Sequence, residues 1–67
     1  MKQPRHRTAL EFTRLRESVG WTKAELARRA GVSRRTIWRI EQQTWAVPKV
    51  WMLAIQRLVE SAKEDAA

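Results

Sequence analysis

Sixty-seven residues make one small domain at most, and such a chain buries only about 60% of the surface it exposes when unfolded. There is no cysteine and a single histidine, His6, which excludes disulfides, thiolate metal sites and the usual zinc arrangements. Fourteen Lys and Arg against seven Asp and Glu leave a formal charge of +7, which favours a polyanionic partner because neutralised phosphates release condensed counterions.

Residues 1–7 are polar and basic, contain Pro4 and show no periodicity, so they read as a flexible basic arm. Thr8 and Glu11 have the spacing of a capping box, in which each side chain satisfies an orphan backbone N–H. Phe12, Leu15 and Val19 follow as an apolar helical stripe, and Gly20 ends it. Thr22 and Glu25 repeat the capping box ahead of Leu26, Ala27 and Ala30, and Gly31 suits a left-handed helix end. This second helix, about eight residues long, is too short to stand without its neighbours. Ser33 caps a third helix whose Ile37 and Ile40 point inward. Residues 42–46 read as a loop, Pro48 suits the first turn of a last helix over 48–62, and residues 63–67 should fray. Strand-like alternation never persists, so the fold class is all-α. No stretch approaches ~18 apolar residues, and no apolar segment follows the charged N-terminus, so a cytoplasmic protein is expected.

Residues 22–42 concentrate the functional signal. Two short helices joined by a three- to four-residue turn containing glycine form the helix-turn-helix arrangement. Ala27 must be small where the two helices cross, Gly31 makes the turn, and Ile37 plugs the angle between them. The sequence here resembles the Cro/C1-type (XRE-like) phage repressor helix-turn-helix family, over roughly Leu10 to Leu58. The matching residues are Leu15-Arg16, Glu25-Leu26-Ala27, Ala30 to Ser33, Thr36-Ile37 and Arg39-Ile40-Glu41, with Pro48 leading the next helix. Its size and proline-led closing helix are also similar to small regulators associated with anti-CRISPR genes. The resemblance implies a compact lambda-repressor-like domain of four to five helices, spanning residues 8–62, that binds double-stranded DNA.

In that family the third helix enters the major groove and the second crosses the backbone. The resemblance therefore implies Ser33, Arg34, Arg35 and Arg39 as base readers, with the arginine fork suited to guanine O6 and N7. For each arginine the alternative is contact with phosphate alone. Lys23 and Thr22 at the second helix start, with Thr36, Trp38 and Lys49, are expected on the DNA backbone. Relatives often carry several basic residues in the loop before the last helix; here Thr44, Trp45, Ala46 and Val47 stand there. Arg5 and Arg7 of the arm could compensate along the backbone or in the minor groove, a solvated tail being the alternative. Arg16 and Glu41 are expected to form a structural ion pair between the first helix and the end of the third.

Four tryptophans need separate readings. Trp21 should pack in the core, Trp38 borders the reading face, and Trp45 and Trp51 should lie away from the groove. The last helix has two apolar stripes, Val50, Leu53, Ala54 and Leu58 on one side, and Trp51, Met52, Ile55 and Val59 on the other. A domain this small buries one of them. The second set is expected to form the interface of a homodimer on a palindromic operator, unless a cramped core needs both. With no nucleophile–base pair, metal cluster or phosphate loop, neither enzyme chemistry, a cofactor nor a small-molecule substrate is expected. A repressor of a phage or mobile-element operon is the leading reading. An antitoxin that binds DNA and a toxin protein is the alternative.

Overall fold

The computed structural model describes residues 4–66, all helical or irregular. Four helices follow one another: α1 (Arg7–Ser18), α2 (Lys23–Ala30), α3 (Arg34–Glu41) and α4 (Lys49–Ala66). The all-α expectation holds, with four helices.

The two glycine stops work alike. Gly20 and Gly31 have φ of +71° and +73°, a conformation that costs any residue with a Cβ. At α1, Trp21 N donates to Arg16 O and Gly20 N to Glu17 O. At α2, Val32 N donates to Ala27 O and Gly31 N to Arg28 O. This is the Schellman pairing, which satisfies carbonyls that a helix end leaves open. After Gly31 the next helix packs back at once, α3 against α2, whereas after Gly20 the chain carries α2 away from α1 to pack on α3 and α4.

Phe12, Leu26, Ile37 and Ile55 are each at most 1% exposed, and burying each contributes about 1.5–3 kcal/mol. Ala9, Trp21, Ala27, Ile40, Val47, Met52 and Val59 complete the core. Ala27 and Ile37 are both buried, as a close crossing of α2 and α3 requires. Arg29 stacks over the Trp21 ring at 4.5 Å from its centroid, covering the outer face of that core residue.

Three expectations need correction. First, Met52, Ile55 and Val59 are core residues and Trp51 is half-buried, so this stripe is not a free dimer face. Val50 and Leu53, on the other stripe, are exposed at 69% and 51%. The division into two stripes does not hold either, because Ala54 and Leu58 of that stripe are half-buried and Leu58 packs against the core. Second, the C-terminal residues do not fray at Lys63: α4 continues to Ala66, while Ala67 lies outside the described residues.

Third, the N-terminal segment is not a free arm from Arg5 onward. The cap of α1 is His6, not Thr8: His6 Nδ1 accepts from Thr8 N at 3.1 Å. The Thr8 hydroxyl, 2.9 Å from the same nitrogen, instead accepts from Val47 N at 2.8 Å. His6 N donates to Gln43 O at 2.7 Å, and Arg5 Nη1 to Glu41 O at 3.2 Å. Backbone groups at the end of α3 need partners, and this segment supplies them. Lys2 of the expected arm lies outside the described residues.

Candidate nucleic-acid interface

The end of α3 is held from behind by a buried carboxylate. Glu41, at the last residue of α3, is 1% exposed. Its oxygens accept from Arg16 Nε at 2.8 Å, Arg16 Nη2 at 3.1 Å and the Thr13 hydroxyl at 2.9 Å. Arg16 Nη1 also donates to Trp21 O at 2.7 Å. One guanidinium thus joins α1, the α1–α2 turn and the end of α3. A two-bonded arginine–carboxylate pair fixes direction as well as distance. The expected ion pair is present.

The front of the molecule is built at two helix starts. Thr22 Oγ1 accepts from Glu25 N at 3.1 Å, and Ser33 Oγ from Thr36 N at 3.2 Å. These caps set where α2 and α3 begin, and therefore where Lys23, Arg34 and Arg35 project. Ser33 Oγ also lies 3.0 Å from Thr36 Oγ1. One of these two hydroxyl hydrogens is used between them, which leaves the other to donate outward. Ser33 is thus engaged as the cap of α3 and stays exposed beside Arg34.

Lys23, Arg34, Arg35 and Trp38 line one open concavity of about 490 Å³. Three cations and an indole share it with no carboxylate, so its potential is positive and an anion is the complementary occupant. Lys23 is half-buried, whereas Arg34 and Arg35 are exposed and their forks are free to meet base edges or phosphates. Arg39, also exposed, borders a second concavity of about 330 Å³ with Trp38, Gln42, Gln43 and Trp45.

Trp45 is 65% exposed and shares that concavity with Trp38 and Arg39, so it lies beside two residues expected at the DNA. A tryptophan in a loop that carries no cation is the sequence signal for this placement. Lys49 is exposed at the first residue of α4 and borders neither concavity. Arg7 is exposed at the first residue of α1, while Arg5 is engaged with Glu41 O. Neither forms part of the two concavities. No described helix is long and apolar enough to cross a membrane.

Comparison with known proteins agrees with this geometry. The profile of the family described as "Helix-turn-helix domain" matches residues 8–61. Searches of curated proteins and of solved structures found no match. A short second helix, a left-handed glycine turn and a third helix with an exposed basic start are the parts of a DNA-binding head. The chain belongs to the helix-turn-helix domain family.

Proposed function

We propose that the protein is a sequence-specific regulator of transcription, not an enzyme, that reads the major groove of double-stranded DNA with α3. The observation that carries this reading is the convergence of Lys23, Arg34 and Arg35 on one concavity at the starts of α2 and α3. Arg34 and Arg35 read base edges, Arg39 reads or holds the strand beside them, and Lys23 grips a phosphate. Thr22 and Thr36 add polar contacts at the two helix starts.

The protein acts as a repressor of a phage or mobile-element operon, its own included, and binds a palindromic operator as a two-fold dimer. The resemblance to phage repressors supports that setting. The exposed Val50 and Leu53 on the outer side of α4 support a self-complementary contact there.

Titration against the protein's own promoter region and against scrambled duplex, at physiological salt, tests the reading. Specific regulators bind their site about 10³-fold or more above bulk DNA, and a ratio near one would overturn the proposal. Arg35→Ala should cost about 1–3 kcal/mol and relax the choice at one base pair, whereas Lys23→Ala should weaken all duplexes alike.

A further inference from the structure

The α3–α4 loop presents a large aromatic where a charge clamp is wanted. Trp38 and Trp45 are 51% and 65% exposed, far from the burial their size favours. They face a common cleft whose other walls are Arg39, Gln42 and Gln43. Thr44, Trp45, Ala46 and Val47 contain no cation, so this loop supplies no charge clamp and its largest exposed group is the Trp45 indole.

We propose that the Trp38–Trp45 cleft seats a deoxyribose of the bound duplex, with Arg39 on the adjoining phosphate. This inference rests on the DNA-reading function above. Three observations select the occupant. Trp38 lines both this cleft and the concavity of Lys23, Arg34 and Arg35, so a strand lying in one passes directly to the other. The lining is mixed, with two indole faces beside a guanidinium and two amides, and a nucleotide offers that same mixture in its C–H-rich sugar and charged phosphate. Local charge points the same way, since the one charged side chain in the lining is the Arg39 guanidinium, with no carboxylate beside it, which suits a phosphate.

The loop therefore contributes affinity that is insensitive to salt, in place of the counterion-releasing contacts that lysines would make. Binding of a duplex to the full chain should be measured for wild type, Trp45→Ala and Arg39→Ala across a salt series, with melting and sedimentation of each. Trp45→Ala should lower affinity about tenfold at every salt concentration, on operator and scrambled duplex alike. That ratio corresponds to roughly 60 Å² of apolar surface returned to water. Its slope of log affinity against log salt should match wild type, whereas Arg39→Ala should flatten the slope by about 0.9, one phosphate contact.

Because Trp45 is exposed, Trp45→Ala should melt with wild type, and a normal melt removes misfolding as the cause. Undiminished affinity in a folded Trp45→Ala would overturn the inference, as would a flattened slope. A shift to monomer that accounts for all the affinity loss would assign the cleft to a second copy and overturn it too. Wild type that binds neither duplex would sink the DNA-reading function itself, a result distinct from these.

Discussion

Replacing Glu41 by alanine should remove a large share of the protein's stability. The carboxylate accepts two bonds from Arg16 and one from Thr13. In the variant the Thr13 hydroxyl keeps an acceptor in Ala9 O, and Arg16 keeps only Trp21 O. The cost therefore falls on a guanidinium whose side chain is 11% exposed and has lost its counter-charge. Breaking one side of such a buried pair costs about 3–5 kcal/mol. At roughly 0.05–0.15 kcal/mol per residue the whole chain has about 3–10 kcal/mol of stability, so the loss takes a third of it at the least. Urea denaturation followed by tryptophan fluorescence reads this directly, because Trp21 leaves the core on unfolding. The double variant Arg16→Met with Glu41→Leu should regain most of the loss, since removing both charges leaves nothing unpaired. A Glu41→Ala protein within about 1 kcal/mol of wild type would refute the argument that this pair holds α3 in place.

Other outcomes follow from single features. Gly31→Ala should lose about 1–2 kcal/mol in thermal denaturation, all of it from the left-handed backbone, since an added Cβ meets nothing within 4 Å; Gly31→Asn should lose less, and equal losses would discount the backbone argument. His6→Ala removes the α1 cap and should cost about 1 kcal/mol; an unmoved denaturation midpoint would mean the segment is not fastened in solution. Leu53→Glu should give a folded monomer by sedimentation, whereas Ile55→Glu should not fold. A persistent dimer in Leu53→Glu would move the proposed contact off α4.

Elements with strong local signals were legible. Thr22, Ser33, Gly20 and Gly31 mark helix ends by chemistry that acts within a few residues, and they lie where their residue types require. The Arg16–Glu41 pair came from the family resemblance, because nothing local links residues 25 positions apart. The last helix was legible as a helix but not in orientation. Both its stripes are apolar, and which one meets the core depends on how α4 crosses α1, a matter of tertiary packing. The N-terminal segment was misjudged for a different reason: histidine is an uncommon cap, and the acceptors that fasten this segment lie on residues 41 and 43. Trp45 was misplaced because a loop's return path is set by the elements it joins. Around the starts of α2 and α3 the cations were legible as types and spacings, but the cleft shared by Trp38 and Trp45 was not.

The fastening of the chain's beginning has a consequence for how the protein is made. Arg5 reaches Glu41 and Thr8 reaches Val47 across 36 and 39 residues of chain. At about 5–20 residues per second the ribosome takes roughly 2–8 s to cover that interval. Throughout it, His6 and Thr8 have only each other, and the last turn of α3 does not yet exist to receive them. The segment from Arg5 to Thr8 is therefore made well before its partners, and the nascent domain closes like a clasp once Val47 has emerged.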